Sequence, residues 1–126
     1  MLEQARSGET VNIAALGGSV TEGAGAQTAQ GCYGYRCADA FGDVYGTDGG
    51  SNINFVNAGL GGTSSSLGVI RYQRDVVEEL GAEPDLFILE FAVNDYGEVT
   101  GGRAYESQDY DVLSQDNDAA ALLVCS

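Results

Sequence analysis

The stretch Leu16-Gly17-Gly18-Ser19-Val20-Thr21-Glu22-Gly23 joins two segments of different character. An apolar, β-prone run ends at Leu16, and a glycine- and alanine-rich loop follows Gly23. A serine that directly follows a first strand lies where open α/β sheets present their ligands. The flanking glycines let the backbone turn sharply and let a substrate come close. We therefore predict that Ser19 is a candidate nucleophile on a strand-end turn.

The composition is that of one acidic globular domain spanning residues 1–126. Hydrophobic residues make up 44% of the chain, which is enough to build a core. The net charge is −14, and all five basic residues are arginines. Such a surface repels nucleic acid phosphate and anionic lipid, so we predict neither nucleic acid nor a membrane as a partner.

Targeting and metal-binding signals are absent from the sequence. The first ten residues are polar, which argues against a signal peptide, and no apolar run approaches the ~20 residues of a membrane span. We therefore expect a soluble chain, whose compartment the sequence leaves open. Histidine is absent, which excludes a mixed Cys/His metal site, and we interpret the three cysteines, Cys32, Cys37 and Cys125, as small buried hydrophobes.

Apolar runs alternate with helix-like segments along the chain. Strands are predicted at residues 9–16, 53–58, 85–92 and 119–125, and helices at 33–44, 69–80 and 103–115. This alternation predicts an α/β fold with a parallel sheet and helices on both faces. We expect the flavodoxin-like strand order 2-1-3 with strand four beyond strand three.

Two patterns on the predicted helices have simple structural explanations. Tyr33, Tyr35 and Phe41 recur at helical spacing, which predicts core packing rather than a platform for stacking sugars. Arg71 and Arg74 stand one turn apart beside acidic residues, which predicts a solvated helix face.

The loops after the first three strands carry Ser19, Gly62 and Asn94. Parallel strands point the same way, so these loops meet at one edge of the sheet. Acyl transfer needs a nucleophile and donors aimed at the oxyanion of a tetrahedral intermediate. Ser19 offers a hydroxyl and its own N–H, Gly62 offers an N–H, and Asn94 offers a side-chain amide. The topology therefore predicts an acyl-transfer site built from these three residues.

Simpler roles remain open for each of these residues. Ser19 can cap a turn, Gly62 can serve a tight turn, and Asn94 can begin an Asx turn. Glu22 and Asp95 are the nearest acids in the sequence. We interpret both as surface or turn residues rather than as a catalytic base.

Three segments resemble, in order, the sequence blocks of the SGNH hydrolases, also called GDSL esterases and lipases. The first is residues 16–23, with Gly18 where Asp is usual. The second is residues 57–64, and the third is residues 91–95, with Ala92 where Gly is usual. Each block alone is a weak signal, but three blocks in the right order, each at a strand end, are specific.

The resemblance implies a three-layer α/β/α domain that hydrolyses carboxylic esters without a metal or organic cofactor. Members are esterases, lipases or carbohydrate deacetylases, so the implied partner is a small-molecule or saccharide ester. In the implied mechanism Ser19 is the nucleophile, and Gly62 and Asn94 form the oxyanion hole with the Ser19 N–H.

The fourth block of the family, an Asp-x-x-His after strand five, is missing from this sequence. We therefore expect a domain truncated after strand four that is inactive alone. A non-catalytic binding module and a gene fragment without independent function remain as alternatives. Residues 119–125 would form an exposed sheet edge without Lys or Pro, so we also expect self-association through that strand.

Overall fold

The computed structural model describes residues 1–95 and 120–123. Its strands are β1 (Val11–Gly17), β2 (Ile53–Gly59), β3 (Leu86–Glu90) and β4 (Ala120–Leu123). Its α-helices are α1 (Leu2–Ser7), α2 (Ser19–Glu22), α3 (Tyr33–Tyr45) and α4 (Ser65–Tyr72). A 3₁₀ turn at Ala29–Gly31 precedes α3, and a π-helical turn at Gln73–Glu78 continues α4. The predicted helix at 103–115 lies outside the described residues, as do the ends of predicted strand four.

The described strands form a parallel sheet in the order β2-β1-β3-β4. The predicted α/β class and the predicted strand order are therefore confirmed. The central strand β1 is buried on both faces because its run of apolar residues leaves no polar side to turn towards water. All strands end at the same edge of the sheet, where the loops after β1, β2 and β3 begin.

Two apolar clusters cover the two faces of the sheet and make the fold three-layered. One face packs against α1 and α3, and its buried residues are Ala5, Val11, Ile13, Ala15 and Ile88. The opposite face packs against α4 and the π-helical turn, and its buried residues are Ala14, Leu16, Ala58, Tyr72, Val76, Phe87, Leu89 and Phe91. Tyr33 and Phe41 lie against the first cluster, as their helical spacing predicts.

The prediction of a solvated face on the second helix is wrong for Arg71, which is only 8% exposed. Its guanidinium donates through Nη2 to the Ala58 carbonyl of edge strand β2 (3.1 Å) and through Nε to Asp75 (2.7 Å). Arg74 is exposed and also pairs with Asp75. Hydrogen bonds from Arg74 and then Arg71 lower the pKa of the Asp75 carboxyl below its ordinary value.

The predicted burial of the cysteines is correct for Cys32 and wrong for Cys37, which is exposed on α3, while Cys125 lies outside the described residues. The apolar face of α3 is occupied by small residues that face β2, including Gly34, Ala38 and Gly42. Cys37 directly precedes Ala38 in the helix, so its side chain lies off the face that packs on the sheet.

Candidate active site

The first loop places Ser19 at the first position of α2, directly after β1. Strands β1 and β2 end with two glycines in register, Gly17 and Gly59, and these glycines leave room for α2. A Cβ on Gly17 would lie 2.0 Å from the Thr21 hydroxyl, and one on Gly59 would lie 2.1 Å from the Glu22 nitrogen. The helix that carries Ser19 is thus recessed against the ends of the strands.

Thr21, which is fully buried, anchors α2 through both its side chain and its main chain. Its hydroxyl lies 3.3 Å from a carboxylate oxygen of Glu90 and 2.8 Å from the Tyr33 hydroxyl. Thr21 donates its single hydroxyl hydrogen to Glu90, so Tyr33 is the donor to Thr21. The Thr21 carbonyl accepts a hydrogen bond from Asn57 Nδ2 (2.8 Å). The turn before Ser19 is held as well, because the Gly18 N–H donates to the Glu90 carbonyl (3.0 Å).

Tyr33 titrates abnormally in this network. Burial raises the pKa of the Tyr33 phenol to about 12. The hydrogen bond to Thr21 lowers this pKa and the negative charge of Glu90 raises it, and both effects are smaller than that of burial. The phenol therefore stays a hydrogen-bond donor throughout the neutral range. Glu90 itself is only 4% exposed, at the carboxyl end of β3.

The second loop, after β2, wraps beside Ser19. The Leu60 N–H donates to the Gly17 carbonyl (3.0 Å), and the Gly61 N–H donates to a Glu22 carboxylate oxygen (3.0 Å). A Cβ on Gly61 would lie 3.6 Å from the Ser19 Cβ. Gly62 has a φ of +75°, a conformation that glycine adopts without strain. Among the described residues its N–H makes no hydrogen bond.

The third loop, after β3, reaches the other two through its side chains. Asn94 Nδ2 donates to the Thr63 carbonyl of the second loop (2.7 Å). The same nitrogen lies 2.2 Å from where a Cβ on Gly18 would stand. The glycine that replaces the usual Asp of the first block therefore leaves the space that Asn94 occupies. An amide nitrogen carries two hydrogens, so one remains for a second acceptor.

The structure therefore brings the loops of Ser19, Gly62 and Asn94 together at the carboxyl edge of the sheet, as the sequence predicts. Their assignment as nucleophile and oxyanion donors remains a prediction. Sequence reasoning missed Thr21 and Glu90 as supports of α2. The available signal was Glu90 itself, a charged residue inside the otherwise apolar run from Leu86 to Phe91.

Neither a membrane span nor a metal cluster occurs in the part of the chain that the structure describes. None of the helices within residues 1–95 is long and apolar enough to cross a bilayer. No group of three or more His, Cys, Asp or Glu side chains within the described ranges is arranged to hold a metal ion.

Residues 13–121 match the family model of GDSL-like lipases and acylhydrolases. This match covers most of the chain, from β1 to β4, and the fold and loop arrangement agree with it. The chain therefore belongs to the GDSL-like lipase/acylhydrolase family, the SGNH hydrolases. No curated protein gives a significant match to the sequence.

Solved structures with similar folds include several esterases. A two-domain esterase (CEX) active on acetylated mannans, co-crystallised with mannopentaose, is 34% identical with a TM-score of 0.85; the match covers 98% of this chain and 32% of that one. AlinE4, an SGNH-hydrolase family esterase, is 24% identical with a TM-score of 0.65, covering 92% and 59%. A putative lipolytic protein of the G-D-S-L family from Desulfitobacterium hafniense is 21% identical with a TM-score of 0.59, covering 90% and 58%. The chain thus spans about a third of the mannan esterase.

Proposed function

We propose that the chain carries the nucleophile and oxyanion hole of a serine carboxylic ester hydrolase. The observation that carries the proposal is the convergence of the three loops. Asn94 fills the space beside Gly18 and is bonded to the second loop, while the Gly62 N–H is left unused among the described residues. Membership of the family supports the same assignment.

In the proposed mechanism the Ser19 oxygen attacks the acyl carbon, and the hydroxyl proton passes to a general base. The electrons of the carbonyl bond move onto its oxygen, where the N–H groups of Ser19 and Gly62 and the Asn94 amide stabilise the charge. Collapse breaks the bond to the alcohol oxygen, which takes the proton from the base. Water then hydrolyses the acyl-serine by the same steps.

The base is the part of the mechanism that these residues do not supply. A serine hydroxyl without an adjacent base is a weak nucleophile, and the sequence contains no histidine. We expect the 126 residues to form the N-terminal part of one SGNH domain, with an Asp-x-x-His segment supplied from outside them. Alone, the chain is expected to be inactive.

The substrate that we propose is an acetyl ester on a neutral saccharide. The support is the mannan esterase, which is active on acetylated mannans and shares 34% of its residues with this chain over the aligned region. The acidity of the chain agrees with a neutral rather than an anionic substrate.

A chimera tests this proposal. Residues 1–123 would be fused to the remaining, C-terminal part of the catalytic domain of the mannan esterase. The fusion should release acetate from acetylated mannan and hydrolyse p-nitrophenyl acetate, and Ser19→Ala should abolish both activities. The 126-residue chain should hydrolyse p-nitrophenyl acetate no faster than its own Ser19→Ala variant.

A second function, binding of a saccharide ester without turnover, is favoured by the absence of histidine. The same experiment separates the two functions. If a correctly folded chimera shows no Ser19-dependent hydrolysis but binds acetylated mannan in calorimetry, the result would support the binding function and contradict the enzymatic one. Robust Ser19-dependent turnover by the 126-residue chain alone would instead contradict the need for an external base.

For the isolated chain we also propose self-association through β4. Leu122 is 52% exposed, and within the described residues β4 pairs only with β3. An unpaired apolar edge favours pairing with another chain, and salt screens the opposing negative charge. Light scattering of the 126-residue chain should show growing assembly as salt is raised, and Leu122→Lys should suppress it. A monomer at every salt concentration would contradict this proposal.

A further inference from the structure

Helix α4 begins directly after the second loop, and its first turn lacks a cap from its own segment. The preceding residue, Ser64, makes no side-chain hydrogen bond to the helix. The N–H groups of a first helical turn need acceptors from outside the helix. Ser65, the first residue of α4, finds one in the third loop, where an Asp95 carboxylate oxygen accepts its N–H (2.9 Å).

Asp95 is therefore a cap supplied by a different loop. Its other carboxylate oxygen is buried and has no hydrogen-bond partner among the described residues. A negative charge at the N-terminal end of a helix is favourable because the helix dipole is positive there. The hydrogen bond and the helix dipole thus fix the Asp95 carboxylate at the N-terminal end of α4, and the carboxylate in turn stabilises the first turn of the helix.

The hydrogen bond that Asp95 accepts from the Ser65 N–H is accompanied by the one that Asn94 donates to the Thr63 carbonyl. Neighbouring residues of the third loop thus hold the segment just after Gly62 at two points, the end of the second loop at Thr63 and the start of α4 at Ser65. One bond is made by the predicted oxyanion donor itself, and the other by the residue that follows it.

We propose that Asp95 is a positioning residue that sets the spacing between the two oxyanion donors, Gly62 and Asn94, by capping α4 from the neighbouring loop. This inference rests on the proposed function for its catalytic meaning. Asp95 would affect the reaction indirectly, since its carboxylate accepts a hydrogen bond from the Ser65 amide rather than contacting the substrate. Without this bond, the hydrogen bond from Asn94 to Thr63 would have to hold the second loop in place, and the same Asn94 amide must also serve the oxyanion.

The test on the 126-residue chain is by nuclear magnetic resonance. Asp95→Ala should speed hydrogen exchange at the Ser65 amide about tenfold or more, as expected for losing a hydrogen bond to a charged group. It should also shift the resonances of the Gly62 amide and the Asn94 side chain, while exchange in β1 stays unchanged. Asp95→Asn, which keeps an acceptor oxygen, should give smaller changes and decides the question if Asp95→Ala does not fold. Asp43→Ala, which removes an exposed acid from α3, is the matched control.

A change at Ser65 with no change at Gly62 or Asn94 would reduce Asp95 to a helix cap and overturn the inference. In the active chimera, Asp95→Ala should lower kcat about tenfold at constant KM, and should cost nothing further in an Asn94→Ala background. Additive losses would also overturn it. If the chimera shows no hydrolysis, the proposed function is contradicted. The NMR measurements on the 126-residue chain then test the role of Asp95 by themselves.

Discussion

The loops after β1 and β3 reach the same edge of the sheet, but they are held there in different ways. The first loop is fixed by the fold, because α2 lies against main-chain atoms at the strand ends and its anchor, Thr21, is fully buried. The third loop is held through the half-buried side chains of Asn94 and Asp95. The proposed nucleophile is thus positioned by main-chain packing together with buried hydrogen bonds, whereas the proposed oxyanion donor is positioned by side-chain hydrogen bonds that substitutions can remove one at a time.

The largest expected effect is a change at the packed loop. Gly59→Ala places a Cβ 2.1 Å from the Glu22 nitrogen and 2.5 Å from the Thr21 carbonyl carbon, which are main-chain atoms that cannot rotate away. We expect it to lower the free energy of unfolding by about 4 kcal/mol or more, measured by urea denaturation.

Gly25→Ala is the control for this change. Gly25 has a φ of +83° and open space around its Cβ position, so it reports only backbone strain, about 1–2 kcal/mol. Equal losses for the two variants would show that α2 is not wedged against β2.

The second effect concerns the loop held by side chains. Asn94→Ala in the active chimera should lower kcat by roughly 10²–10³, the range for losing one oxyanion donor. Thermal unfolding should show only a small loss of stability, because the side chain is half-buried and makes one hydrogen bond among the described residues. Asn54→Ala, at the opposite end of β2, should leave kcat unchanged, and an unchanged kcat in Asn94→Ala would identify Asn94 as a turn residue.

A smaller effect is expected when the buried anchor loses only its hydroxyl. Thr21→Val keeps the shape of the side chain but removes the donor to Glu90, which should cost about 1–3 kcal/mol of stability. Chemical denaturation measures this cost. Thr28→Val is the comparison, since the Thr28 side chain makes no capping hydrogen bond. A cost no larger than that of Thr28→Val would show that the network does not support α2.

The smallest effect is a titration. Burial raises the pKa of Tyr33 to about 12, so absorbance at alkaline pH should contain a late phenol contribution, and Tyr33→Phe should remove it. The unfolded chain ionises this phenol near its ordinary pKa of about 10. Stability should therefore fall as the pH rises from about 10 to about 12, and less so in Tyr33→Phe. A normal titration of all tyrosines would contradict the buried network.

The sequence predicted the architecture because that information is local. Apolar runs and glycine clusters marked the strands and their ends, and parallel strands then brought Ser19, Gly62 and Asn94 to one edge. Contacts between distant residues carry no such local signal. Thr21 and Glu90 are 69 residues apart, and nothing near either residue shows that they meet.

The same reason explains the errors on the second helix. A pattern of alternating charges looks solvated whether or not a long side chain folds back onto the sheet. Arg71 folds back to donate to the Ala58 carbonyl of β2, and only the assembled sheet brings that acceptor within its reach. The π-helical turn that follows also has no signature in the apolar spacing.

The two paired glycines at the ends of β1 and β2 have a consequence for mutational scanning. In the active chimera, a library selected for hydrolysis would lose nearly every substitution at Gly17 and Gly59, because each Cβ meets atoms closer than 2.5 Å. In that map of tolerated substitutions, Gly17 and Gly59 would look as intolerant as Ser19, the proposed nucleophile. A parallel library sorted only for folded protein would lose the two glycines and retain substitutions of Ser19. The ratio of the two maps, rather than either map alone, would therefore separate the chemistry of this site from its architecture.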